Sequence, residues 1–318
     1  STCLRVFLNQ SPQVFSNESW VRWPLMVFDT VGRLGNCLNS YATALIFSAD
    51  WGRFPLTVAV TQHVFKGVST LLARQHLPLP VVSHELLMDV YDVGEVERVD
   101  PDYFKNDMMS HLEPTFRKAI SEHLVDGQEK LYLLPGYPNP LRKLANHHSV
   151  IRSVFKIRPV LQARALSFLN RVRAANRGNI TFVGVHIRRK DYVSFAKTFY
   201  RCKLPGPGYY LRAIQHYRAT LTNPVFVVCS DDLPSVRIHL QNATDVVISD
   251  QKHPEEDLAL LASCTHSVMT VGSFGFWASY LAGGRVVYPL IKNCSHSPFV
   301  SPGTLGPRGY PNWLALPV

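Results

Sequence analysis

Apolar and polar positions alternate along this chain in two registers, and the registers take turns. Residues 25–28 are an uninterrupted apolar run, short enough for a buried strand. Residues 37–49 then carry Leu38, Tyr41, Ala42, Leu45 and Ile46 on one helical face, and residues 54–60 return to a strand pattern. Strand, glycine-bearing loop, helix and strand make a βαβ unit, the seed of a doubly wound sheet. Residues 61–150 are harder to read. Short amphipathic pieces alternate there with Pro-rich turns, and 131–134 is the clearest strand. A helical pattern over 149–172 is broken at Pro159.

The second half repeats the alternation. Strands are expected at 181–187, 225–229, 245–248, 266–271 and 285–288, with helices at 209–221, 233–240, 255–263 and 276–281. The organisation expected is α/β, with a first domain over 1–157 that includes an irregular leading segment, and a second over 158–318. Parallel strands would gather their carboxyl-terminal loops on one sheet edge, where open α/β sheets bind ligands.

Composition narrows the class. The 318 residues are 46% hydrophobic and 18% charged, which suits a packed globular protein. No apolar run reaches the roughly 20 residues that a spanning helix needs. The chain opens at Ser1, so a targeting or anchoring segment is expected to have preceded it. The formal charge of +10 favours an anionic partner. The basic residues are dispersed, without aromatic interleaving, so nucleic acid is not the partner expected. Six cysteines form no C-x-x-C pair, and no metal site is expected. An even count permits disulfides without choosing their pairing. Five N-x-S/T acceptors, at Asn9, Asn17, Asn179, Asn242 and Asn293, point to the secretory pathway. Asp100-Pro101-Asp102 has the spacing of an Asp-x-Asp metal motif, but a proline between the acids reads better as a turn.

Three strand ends carry chemistry. Arg188 and Arg189 follow the first strand of the second half, and their planar forks suit phosphate oxygens. Successive strand residues face opposite ways, so one arginine should face the ligand while the other pairs with Asp191 or a neighbouring carboxylate. Asp231, in Ser230-Asp231-Asp232, can accept from ribose hydroxyls or cap a helix. Gly272-Ser273-Phe274-Gly275 opens a helix whose first amides, with Ser273, can hold phosphate; a plain glycine turn fits the same residues. Asp257 can accept from a guanine edge or complement a helix dipole. In the first half, Gly32 and Arg33 sit in a loop that permits close approach and supplies charge; a plain tight turn fits the same residues equally well.

These residues carry a resemblance. Val183 to Tyr192 resembles the H-x-R-R-x-D motif of the α1,2-fucosyltransferases and, more loosely, of α1,6- and protein O-fucosyltransferases. Gly32-Arg33-Leu34-Gly35-Asn36 resembles the family's G-R-x-G-N motif. Asp257 through Gly284 resembles its carboxyl-terminal motif, with His266, Trp277 and Tyr280 matching. The resemblance implies a GT-B-like fold of two Rossmann-like domains facing a cleft. It implies GDP-fucose as donor substrate, a terminal β-galactoside on a glycan as acceptor, and an α1,2 bond formed with inversion, without cofactor or required metal. Arg188 would bind the β-phosphate, His186 and Asp257 the guanosine, and Ser273 with the Gly272, Phe274 and Gly275 turn the pyrophosphate. Arg33 and Asn36 would face phosphate and fucose, while Arg189 and Asp191 support the site. Asp29 is the first choice of base, with Asp191, Asp231 and Glu255 as alternatives. The location implied is the Golgi lumen, as the ectodomain of a type II membrane protein. The sequence sets no oligomeric state. Two residues depart from the family pattern: Cys37, where glutamine is usual, and Lys190, where a small residue is usual. Other readings stay open: a fucosyltransferase of different regiochemistry, and a nucleotide-sugar- or glycan-binding protein without turnover.

Overall fold

The computed structural model describes residues 14–15, 22–52, 54, 56–87, 96–98, 108–127, 130–176, 178–240, 243–292, 294 and 297–318. The chain divides into two compact units, Ser1–Lys156 and Ile157–Val318. Asn9, Asn17, Asn242, Asn293 and the acids at 100 and 102 lie outside the described residues.

The first unit holds β1 (Val14–Phe15), β2 (Leu25–Phe28), α1 (Leu34–Trp51), β3 (Thr57–Thr61), α2 (Gln62–Leu71), β4 (Val81–Val82), β5 (Val96–Arg98), α3 (Met108–Asp126), β6 (Leu131–Leu134), α4 (Leu141–Asn146) and α5 (His148–Val154). Its sheet runs β1-β4-β3-β2-β6-β5, and every pair is parallel. β2 and β6 are buried at every position, as strands covered on both faces should be. The chain leaves β2 towards β3 and β4 on one side and later returns to β6 on the other. The order therefore reverses between β2 and β6. Asp29 stands at that point, where its amide donates to the Leu134 carbonyl at 3.0 Å.

The second unit holds α6 (Pro159–Ala175), β7 (Thr181–Ile187), α7 (Lys190–Phe195), α8 (Pro207–Thr220), β8 (Pro224–Ser230), α9 (Leu233–Leu240), β9 (Val246–Ile248), α10 (Pro254–Ala262), β10 (His266–Val268), α11 (Ser273–Ala282), β11 (Val286–Leu290), α12 (Pro302–Leu305) and β12 (Trp313–Pro317). Its sheet runs β12-β11-β10-β7-β8-β9, again wholly parallel. That is the order of a dinucleotide-binding sheet, with its switch point between β7 and β10.

The alternation of β7 sorts the side chains. Val183, Val185 and Ile187 enter a core with Tyr209, Ala213 and Ile214 of α8 and Val236 and Leu240 of α9. Phe182, Gly184 and His186 face the other way. A Cβ on Gly184 would stand 3.0 Å from the Leu261 side chain, so the glycine admits α10 against the strand. Pro254 and three acids open α10, where Glu256 and His253 form a capping box. Arg164 of α6 pairs with Glu256 and ties the two helices.

Candidate functional site

At the switch point, the ends of β7 and β10 are joined by one hydroxyl. Thr270 Oγ1 donates to the His186 carbonyl at 2.7 Å, accepts from the Arg188 amide at 3.3 Å, and bonds the Tyr210 hydroxyl at 2.6 Å. Thr270 is fully buried. None of the sequence motifs names it. Its signal was a hydroxyl inside the apolar run Val268-Met269-Thr270-Val271, next to the glycine turn.

Arg188 extends from this junction. One guanidinium nitrogen pairs with Asp231, and the other donates to Asp191 at 2.5 Å. The Tyr192 ring lies 5.6 Å from the guanidinium carbon, in cation–π range. The Asp231 carboxylate also accepts from the Arg189 amide at 2.8 Å. The expected division of labour between the arginines is thus corrected. Arg188, not Arg189, makes the carboxylate pairs. Arg189 lies on the α8 and α9 face, where it lines a cavity of about 240 Å³ with Ile187, Pro205, Tyr210 and Ser235. Strand alternation separates the two arginines as expected; the topology decides which face carries which partner.

His186 sits beneath the junction, 7% exposed. Its Nδ1 is buried without a hydrogen-bond partner among the described residues. Burial, reinforced by the Arg188 charge, pushes its pKa down to about 3, so the ring is neutral. The Phe274 ring lies 4.9 Å away. A Cβ on Gly275 would meet His186 Nδ1 at 2.8 Å, which explains a glycine inside a helix.

The glycine stretch differs from the expected turn. α11 begins at Ser273, so Ser273, Phe274 and Gly275 are its first-turn residues. Their amides precede the i−4 ladder and point out of the helix end. Gly272 caps the helix with φ +117° and ψ 166°, a conformation essentially restricted to glycine. A Cβ there would also stand 2.5 Å from the Tyr192 hydroxyl oxygen.

Asp257, in the first turn of α10, accepts from the Ser249 hydroxyl at 2.7 Å. Burial raises its pKa, while hydrogen bonds from Ser249 and Cys229 act in the opposite sense. His266, a motif residue, has a structural task. Its Nδ1 accepts from the Arg285 amide at 3.0 Å and supports the turn at Gly284. Among the alternative bases, Asp191 and Asp231 are committed to Arg188.

In the first unit, Asp29 Oδ1 accepts from the Thr61 hydroxyl at 2.6 Å. The Asn36 amide donates to the Arg33 carbonyl at 2.9 Å, and the Asn36 side chain packs over Gly32, leaving no room for a Cβ there. Cys37 is buried, with its Sγ 3.6 Å from the Gly32 carbonyl and 4.0 Å from His63 Nε2. A Cβ on Gly67 of α2 would lie 2.7 Å from Cys37 Cβ, so α2 approaches this cysteine too closely for any residue but glycine there. Burial raises the Cys37 thiol to about 11, a packing group rather than a nucleophile. Lys190 has φ +24°, a sharp backbone turn that residues with a side chain seldom adopt.

Cys202 and Cys294 form a disulfide, and Cys37, Cys229 and Cys264 are free and buried. Among the described residues, no group of three or more His, Cys, Asp or Glu could hold a metal ion. No helix among them is long and apolar enough to cross a membrane.

The model of glycosyl transferase family 11 matches residues 69–316. Galactoside 2-alpha-L-fucosyltransferase SEC1 of Bos taurus is 32% identical over 271 residues, 84% of this chain and 67% of that protein. Galactoside alpha-(1,2)-fucosyltransferase 2 of Oryctolagus cuniculus is 31% identical over 281 residues, 86% of this chain and 72% of the relative. Among solved structures, POFUT1 in complex with GDP aligns at TM-score 0.52 and 14% identity, covering 82% of this chain and 96% of that one. That likeness is one of fold, GT-B-like, with parallel sheets flanked by helices. With the family's model spanning most of its length and these identities beside it, the chain belongs to glycosyl transferase family 11.

Proposed function

We propose that this chain transfers L-fucose from GDP-β-L-fucose to the 2-hydroxyl of a terminal β-galactoside on a glycan. The C1–O bond to the β-phosphate breaks, and a C1–O2 bond forms on the opposite face, giving an α1,2 linkage with inversion. The galactose hydroxyl loses its proton, and GDP departs with the bonding electron pair. The names of the most similar relatives support the acceptor class.

The observation that carries the reading is the bond from the Arg188 amide to Thr270, two residues ahead of the Gly272 cap of α11. That bond holds the arginine at the switch point of a sheet with dinucleotide-binding order. Charge develops on the departing diphosphate. A fixed guanidinium and helix-start amides stabilise it in the place a divalent metal would otherwise take. Asp231 and Thr270 hold Arg188 in position, and solvent-exposed Asp191 is the carboxylate that an incoming phosphate displaces. Asp257 and the neutral His186 are the guanosine contacts in this reading, with Ser273 on the pyrophosphate. Arg33, Asn36 and Asp29 keep in this reading the roles that the family resemblance implies, phosphate and fucose contacts for the first two and base for Asp29.

The Golgi lumen is the compartment proposed. The Cys202–Cys294 disulfide and the exposed Asn179 acceptor suit an oxidising secretory environment.

The test is an acceptor panel with GDP-fucose and a chelator present, followed by linkage analysis of the product. The expected outcome is α1,2-fucosylated galactoside, with GDP-fucose raising the melting temperature of the wild type and not of Arg188→Ala. A product fucosylated elsewhere, transfer that requires added Mn²⁺, or an unchanged rate in Arg188→Ala would each overturn the corresponding part.

A further inference from the structure

Aromatic residues recur at Tyr192, Phe195, Phe199 and Tyr200, a helical stripe that continues directly from the Arg188 motif. α7 and the π-helical turn Ala196–Tyr200 bring these rings together. The Tyr192 ring stacks on Phe195 at 5.1 Å, and Phe195 meets Phe199 at 4.7 Å and Tyr200 edge-on at 5.3 Å. The outer two are not core residues. Phe195 is 37% exposed and Phe199 50% exposed, with Val193 beside them at 43%.

The segment that carries them is anchored at both ends. At its start, the Tyr192 ring lies against the Arg188 guanidinium and its hydroxyl rests against Gly272. At its end, Tyr200 hydrogen-bonds Ser297 and receives a bond from Tyr192 at 3.5 Å. Cys202 is clipped to Cys294 just beyond. Fully buried Ala196 pins the middle. Exposed rings on so constrained a segment incur the hydration penalty without relaxing into the core, the pattern of a recognition surface.

We propose that Phe195 and Phe199 form a stacking platform for the acceptor sugar, with the apolar C–H face of a β-galactoside resting on the exposed rings. This rests on the fucosyl-transfer reading above and extends it to the acceptor side. The acceptor must lie beside the donor sugar, which is bonded to the phosphate assigned to Arg188. The ring sequence Arg188, Tyr192, Phe195, Phe199 runs outward from that phosphate site in contacts of 5.6, 5.1 and 4.7 Å. A neutral pyranose offers one face of C–H groups to an aromatic ring and keeps its hydroxyls at the rim. Aliphatic side chains would bury the same area without the directional electrostatics of a π face.

The experiment uses the whole chain with GDP-fucose and lactose. It compares wild type with Phe195→Leu, Phe199→Leu and Phe199→Trp, and measures KM for each substrate and the thermal shift given by GDP. Both leucine variants are expected to raise the lactose KM by about tenfold. Phe199→Trp should stay within about twofold of wild type. The KM for GDP-fucose and the GDP shift should not move, which shows that the fold and donor site are intact. Lactose KM values unchanged in both leucine variants, with the wild type active, overturn the platform and leave the fucosyltransferase reading standing. Unchanged KM with loss of a dimer in sedimentation gives the surface to a second copy of the chain, which also overturns it. A wild type that binds GDP-fucose but fucosylates no galactoside removes the underlying reading, and the platform with it.

Discussion

Replacing Gly272 with alanine separates backbone geometry from side-chain crowding at the heart of the site. Two costs are expected. The native φ of +117° with ψ 166° falls where only glycine is comfortable, a penalty of about 1–3 kcal/mol for a residue with a Cβ. The new methyl would also stand 2.5 Å from the Tyr192 hydroxyl oxygen and 3.1 Å from its ring carbon Cζ, so the ring must withdraw. Withdrawal weakens the Tyr192 contact with the Arg188 guanidinium, worth about 0.5–1 kcal/mol at a partly exposed site. For a unit of this size each kcal/mol lowers the melting temperature by roughly 2–4 °C, so the summed cost of about 1.5–4 kcal/mol should make Gly272→Ala melt roughly 3–16 °C below wild type. A second substitution divides the effect. Tyr192→Phe removes the hydroxyl and with it the closest contact, so Gly272→Ala/Tyr192→Phe should regain part of the loss but not the backbone penalty. Thermal melts of the four proteins, with kcat/KM for GDP-fucose alongside, complete the cycle. A Gly272→Ala protein melting within about 1 °C of wild type would refute the backbone reasoning. Strict additivity of the two substitutions would refute the crowding.

Two further outcomes are expected. His186 has a folded pKa of about 3, below its unfolded value, so its neutral burial stabilises fully above pH 6.5. That stabilisation is lost as pH falls through the interval below, at up to about 1.4 kcal/mol per pH unit. Denaturant midpoints between pH 7 and pH 4.5 should therefore fall more steeply for wild type than for His186→Asn, and parallel curves would contradict the burial. Asp231→Asn keeps the shape of the Arg188 support but removes its charge. The pair is partly exposed, so the stability loss should be about 1–2 kcal/mol, while KM for GDP-fucose rises about tenfold. A loss of stability without a change in KM would make Asp231 purely structural.

The sequence displayed much of this fold because the inner strands of the sheets are buried on both faces. β2, β6 and β7 fall where the apolar runs at 25–28, 131–134 and 181–187 begin and end, and α9 fills the helical pattern at 233–240. Other elements were hidden. α2 carries Val64, Phe65, Val68 and Leu71 on its buried face, but Gly67, Ser69 and Thr70 dilute the pattern. α3 contains Pro114, which argues against a helix in isolation. α11 starts three residues early, because Gly275 is a glycine for the sake of His186 on a distant strand. No local rule reveals that. The arginine pairing fails to appear for a related reason. Alternation separates Arg188 from Arg189, but only the strand order says that Asp231 stands on the Arg188 side. The family motifs named the residues, and the tertiary structure supplied Thr270, which no motif contained.

That threonine has a mechanical consequence. With its hydroxyl engaged by the His186 carbonyl, the Arg188 amide and Tyr210, the ends of β7 and β10 cannot part without breaking a buried three-way junction. The loop bearing Arg188 and the loop leading to Gly272 therefore move as one piece. A diphosphate arriving there meets a seat already assembled, and little of its binding energy is consumed in arranging its own receptor.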